Sequence, residues 1–137
     1  MNLEERLTTA RKYVEQAHAH LQSGNHHGMA ETAAEISMQM YGLATEIADS
    51  QFNAEMQESV YKNKVAKTFL EEKASGLTDK QSEAKAKLKW EDEYTHVLEA
   101  SRNYKLAKTT HDDLGTMIDV LRTNISIKKA EMNNLGG

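Results

Sequence analysis

Residues 78–132 read TDKQSEAKAKLKWEDEYTHVLEASRNYKLAKTTHDDLGTMIDVLRTNISIKKAEM, and the apolar spacing in this stretch decides the fold. With Trp90 at heptad position a, the next a positions are Val97, Tyr104, His111, Ile118 and Ile125. The d positions are Ala100, Ala107, Leu114 and Leu121. A pattern held over five heptads is a seam that needs a partner helix. Val97, Tyr104, His111, Leu114, Ile118, Leu121 and Ile125 are therefore expected to carry packing between helices and between copies of the chain.

Composition supports the same class. The 137 residues contain no proline and seven glycines, so little interrupts a helix. β-Branched residues never gather in an alternating run, which argues against strands. With two Phe and one Trp, a compact single core would be poor in large side chains. Long helices that share small-residue seams, or bury them between subunits, fit better. The absence of cysteine excludes disulfide and thiolate chemistry in these residues. No run approaches the ~18 apolar residues of a membrane span, and Met1-Asn2-Leu3-Glu4-Glu5 has no signal-peptide character.

Outward from the seam, the rest of the chain is also helical in pattern. Asn2 and Glu5 form a capping box ahead of an apolar stripe at Leu3, Leu7, Ala10, Val14, Ala17 and Leu21. Ser23-Gly24-Asn25 ends that helix, with Gly24 suited to the left-handed position. Met29, Ala33, Ile36, Met40, Leu43 and Ile47 repeat the stripe, so residues 1–49 predict an antiparallel αα-hairpin. Gly42 inside this pattern points to a close approach. Asp49-Ser50-Gln51 is either a new cap or a continuation, and residues 50–76 form a basic helix ending at Ala74-Ser75-Gly76. Thr78-Asp79-Lys80-Gln81 is a second capping box. A straight helix over 78–132 would be roughly 80 Å long. Thr110-His111-Asp112-Asp113 is a cap-like place for a break, but the heptad phase passes through His111 without a slip, so a continuous or gently kinked helix is expected. Residues 133–137 are expected to fray. The predicted fold is all-α: one helical domain over 1–137, an N-terminal αα-hairpin plus a long antiparallel, coiled-coil-like hairpin, assembled as an oligomer.

Little in this chain looks catalytic. His18 and His20 point to different sides of a helix, while His26 and His27 sit in a turn, so the spacing is wrong for a metal site. His111 on the seam reads as a buried, hydrogen-bonded register residue. Acidic neighbours such as Asp112-Asp113 fan around a helix and lack the spacing of paired catalytic carboxylates. No phosphate-cradling or metalloprotease motif is present. The reading is therefore non-enzymatic, with no cofactor and no metal.

Charge is uneven. Residues 1–61 carry 3 basic and 9 acidic groups, residues 62–89 carry 8 and 4, and residues 90–137 carry 6 and 8. The central block holds Lys62, Lys64, Lys67 and Lys73 before the Gly76 turn, and Lys80, Lys85, Lys87 and Lys89 after it. An antiparallel hairpin about that turn crowds them at one end, next to Trp90 and Tyr94. Lysines beside aromatic rings make a generic platform for single-stranded nucleic acid. Glu71, Glu72, Asp79 and Glu83 dilute the charge, and both rings also fit the seam as core.

The run Lys67-Thr-Phe-Leu-Glu-Glu-Lys-Ala-Ser-Gly76, the lysines of Ser82-Glu-Ala-Lys-Ala-Lys87, Tyr94, Tyr104, and Ile118-Asp-Val-Leu-Arg122 with Ile125 and Lys128 are similar to phage recombination mediator proteins of the UvsY type. The resemblance covers roughly residues 60–132 and rests on spacing. It implies a small helical protein without enzymatic activity, assembled in a ring-like oligomer in the host bacterial cytoplasm. Such a protein binds single-stranded DNA and helps load a RecA-like recombinase in place of single-strand-binding protein. The family's Lys-x-Arg pair before the glycine turn corresponds here to Lys67 and, at the arginine position, Phe69. A second reading, from the acidic Glu4, Glu5, Glu31, Glu35, Glu46 and Asp49, is a small phage-like inhibitor or adaptor that binds a host protein and no DNA.

Overall fold

The computed structural model describes residues 1–136 and is all-α, with four helices. They are α1 (Leu3–Ser23), α2 (His26–Ala74), α3 (Asp79–Lys89) and α4 (Glu91–Gly136). The chain divides into two compact units: Met1–Ile47 with Leu106–Gly137, and Ala48–Lys105.

Unit 1 is three helices around one core. Asn2 caps α1 through the reciprocal pair with Glu5, at 2.8 and 3.0 Å. Gly24 closes the helix at φ 68°, a left-handed value that favours glycine. Asn25 then starts α2 by accepting from the Gly28 N–H at 2.9 Å. The two apolar stripes turn toward each other, and the C-terminal part of α4 closes over them. Ala10 and Ala17 of α1, Met29, Ile36 and Leu43 of α2, and Leu114, Ile118 and Leu121 of α4 form the buried cluster. The alanines let α1 approach closely; the larger side chains fill the space, each contributing about 1.5–3 kcal/mol on full burial. At Gly42 an added Cβ would collide with the Arg6 guanidinium, which crosses here to Glu46 at 3.4 Å.

Unit 2 pairs the C-terminal part of α2 with α3 and the start of α4. Gly76 takes φ 99° in the turn, and Thr78 caps α3 with Gln81. Its buried side chains are small: Thr68, Ser82, Ala86 and Ala100. Helices with such contacts lie close together but bury little apolar area.

Three boundaries differ from the sequence reading. Residues 50–76 are not a separate helix, because α2 runs unbroken through Asp49-Ser50-Gln51. A cap-forming residue starts a helix only where the preceding backbone is non-helical, and no glycine or proline interrupts this segment. Residues 78–132 are not one continuous helix: the stretch breaks at Trp90, while α4 runs unbroken through Thr110. Trp90 leaves helical geometry at φ −108°, ψ 25°. Residues 133–136 are helical, so fraying there is not observed; Gly137 lies outside the described residues.

The seam finds partners within the chain. Leu114, Ile118 and Leu121 are buried in unit 1, with Ile125 packed against them. Val97 and Tyr104 are partly buried in unit 2. These faces pack within the chain. His111 is not the buried register residue expected: its side chain is 31% exposed, with Nδ1 3.9 Å from Asp112 and no hydrogen bond among the described residues.

Leu121→Ala is expected to cost about 2–5 kcal/mol in urea unfolding, against within ~0.5 kcal/mol for exposed Leu98→Ala. Ser82 carries a buried hydroxyl without a hydrogen-bond partner. Ser82→Ala removes that group and adds helix propensity, so the same assay should show unit 2 stabilised by up to about 1 kcal/mol.

Candidate nucleic-acid interface

The lysines expected to meet nucleic acid lie on two facing helices of unit 2. Lys62, Lys64, Lys67 and Lys73 are on α2; Lys80, Lys85, Lys87 and Lys89 are on α3. The α2 segment and α3 are held together near the turn by cross-helix ion pairs, Lys73–Asp79 at 2.6 Å and Lys85–Glu72 at 3.8 Å. Farther along, Lys64 reaches Glu93 at 3.9 Å. Within single helices, Lys62 pairs with Glu58 and Lys87 with Glu83, each at 2.9 Å. All are exposed or partly exposed pairs of the kind worth little to stability, and a phosphate can displace such a carboxylate. Lys67, Lys80 and Lys89 take part in no ion pair among the described residues.

Trp90 is tethered. Its indole Nε1–H donates to Thr68 Oγ1 at 2.8 Å, across the hairpin. The ammonium groups of Lys64 and Lys89 stand 4.8 and 5.2 Å from its ring centroid. A ring so covered is a structural anchor more than an open stacking surface. This anchoring accounts for the break between α3 and α4: the side chain is held toward Thr68, and the helix restarts after it.

The open aromatic surface lies beside it. Tyr94, 45% exposed, packs against Tyr61 with ring centroids 5.2 Å apart and planes at 39°. The two rings line a groove of about 620 Å³ with Ala84, Lys87, Leu88 and Glu91. Glu83 hydrogen-bonds the Lys87 ammonium and raises its pKa, so the group is cationic throughout the neutral range. The groove thus offers ring faces, the exposed apolar side chain of Leu88 at its edge and one cation, with Glu91 also in its lining. Tyr61 was missing from the site as read in sequence. Its only signal is its place on the inward face of α2, and its pairing with Tyr94 depends on the Gly76 turn and the Trp90 break together.

Among the described residues, no group of three or more His, Asp or Glu is placed to hold a metal ion. His27 instead contacts Glu31 at 3.0 Å, and His20 lies 3.3 Å from the Asn25 carboxamide. No helix among the described residues is long and apolar enough to cross a membrane.

Replacing the indole's acceptor tests the anchor. Thr68→Val should cost about 1 kcal/mol and shift the emission of the chain's one tryptophan through the altered indole environment.

Comparison with protein-family models, with curated proteins and with solved structures finds no match to this chain.

Proposed function

We propose that this protein is a non-enzymatic accessory factor that binds single-stranded DNA through the lysine-rich end of unit 2. The observation that carries this reading is the pairing of exposed Tyr94 with half-buried Tyr61 in a groove edged by Lys87. That groove lies against a segment, residues 62–89, with eight lysines and four acidic groups. Bases offer a ring face whatever their identity, and a strand's phosphates need only nearby cations, so this pairing recognises single strands without sequence preference. Lys80 and Lys89, free of ion pairs among the described residues, and Lys87 supply the phosphate contacts. Tyr94, with Tyr61 behind it, supplies the stacking surface.

The spacing likeness over residues 60–132 to UvsY-type mediators gives the activity its context. In that role the protein acts in a bacterial host's cytoplasm and helps a RecA-like recombinase replace single-strand-binding protein on the strand. The net charge of −4 fits a protein whose contact is confined to one local basic surface.

Fluorescence anisotropy with labelled oligo-dT measures this directly. Binding should weaken steeply with salt, since each phosphate contact on a single strand contributes about 0.7 to the log–log slope. Lys80→Glu combined with Lys87→Glu should flatten that slope, and Tyr94→Ala should cost about 1–3 kcal/mol by loss of stacking. No binding by the unaltered chain at low salt overturns the proposal.

A further inference from the structure

Unit 2 contains no large buried apolar side chain among the described residues, yet its α2 segment carries a second, uncovered seam. Phe52, Met56, Ser59, Asn63, Ala66 and Leu70 follow one another at 4-3-4-3-4 spacing, and all are exposed. At about 100° per residue they fall within an arc of roughly 80°, on the side of α2 opposite Ala54, Tyr61 and Thr68. None is charged, in a chain where 28% of residues are. Phe52, Met56 and Leu70 are 65%, 49% and 66% exposed, an apolar row that no part of the chain covers among the described residues.

The charges beside the seam identify its occupant. Residues 48–61 of α2 carry three acids and no base, while residues 62–74 carry four lysines and two acids. The segment is therefore polarised end to end and is complementary to itself when reversed. We propose that a second copy of the chain covers this seam, with the two α2 segments antiparallel about a twofold axis level with residue 61. In that register Phe52 faces the partner's Leu70, and Met56 faces the partner's Ala66, large against small. Ser59 faces the partner's Asn63, so a hydroxyl meets a carboxamide at the centre and pins the register. At the seam's two edges the acids of one copy run alongside the partner's lysine-bearing half, Asp49 on the edge that carries the partner's Lys67 and Glu55 on the edge that carries the partner's Lys73. Each contact occurs twice, as an isologous interface requires. A parallel pairing in register would instead set the two lysine-bearing halves side by side and the two acidic halves side by side, which repel. Neither Glu55 nor Lys67 has an ion-pair partner within the chain among the described residues. This inference stands independently of the nucleic-acid reading: Lys67 is assigned to assembly, while the Tyr61–Tyr94 groove is formed by other residues.

Sedimentation equilibrium of the full chain should show a concentration-dependent dimer. Phe52→Glu with Leu70→Glu should raise the dissociation constant by about a hundredfold or more, with helicity by circular dichroism unchanged because both side chains are exposed in the single chain. Asp49→Lys with Glu55→Lys should weaken the dimer, and adding Lys67→Glu with Lys73→Glu should restore it. The chain has no cysteine, so single cysteines report the register. Met56→Cys chains should crosslink with Ala66→Cys chains, and neither with itself. A monomer at all concentrations, a dimer untouched by the Phe52/Leu70 pair of substitutions, or self-crosslinking of Met56→Cys chains each overturns the proposal.

Discussion

Unit 1 depends on one contact: the apolar row Leu114, Ile118 and Leu121 of α4 lying over the joint of α1 and α2. Two helices joined by a tight turn leave an apolar trough between them, and a third helix with the same periodicity fills it. Ala10 and Ala17 set how near α1 comes, and Ile36 and Leu43 supply the facing bulk. The details around this contact serve it. Gly24 supplies the left-handed residue that reverses the chain, and Gly42 leaves room for the Arg6 guanidinium at the bundle's edge.

Unit 2 is built on the opposite choice. Its inner face uses Thr68, Ser82, Ala86 and Ala100, and its specificity comes from polar contacts such as Trp90 to Thr68. A hairpin of this kind spends its large side chains outward. Tyr94 and Leu88 edge a groove, and Phe52, Met56 and Leu70 mark an uncovered face. Surface that contributes nothing to the unit's own core remains available for ligands and for other chains. The same sparse interior leaves the lysines in exposed, exchangeable ion pairs rather than buried ones, which suits contacts that form and release.

Much of this was legible residue by residue. Both capping boxes, Asn2 with Glu5 and Thr78 with Gln81, are local in sequence and form as their spacing predicts. So do the glycine turns at Gly24 and Gly76, and the matched stripes of α1 and α2. Where the reading went astray, a residue's local preference was outweighed by its surroundings. Asp49 and Ser50 favour helix starts but sit in a helix already propagating. Trp90 fits a heptad position but is too large and too polar at its indole N–H to stay there once Thr68 offers an acceptor. His111 occupies a seam position at the margin of the buried row, so it remains partly in water.

The sequence by itself determined that the chain is helical, where its turns and caps lie, and which face of each helix is apolar. These follow from backbone chemistry and from periodicities of a few residues. Only the tertiary structure decided which helix covers which face. A heptad seam specifies a shape and a phase but names no partner, so the row from Val97 to Ile125 fits an intrachain stripe as well as another copy. The tertiary structure gave it to α1 and α2 in unit 1 and to α2 in unit 2. It also brought Tyr61 to Tyr94 and Trp90 to Thr68, contacts fixed by the offset of two helices about Gly76 and by a one-residue break, neither of which any single stretch of sequence encodes.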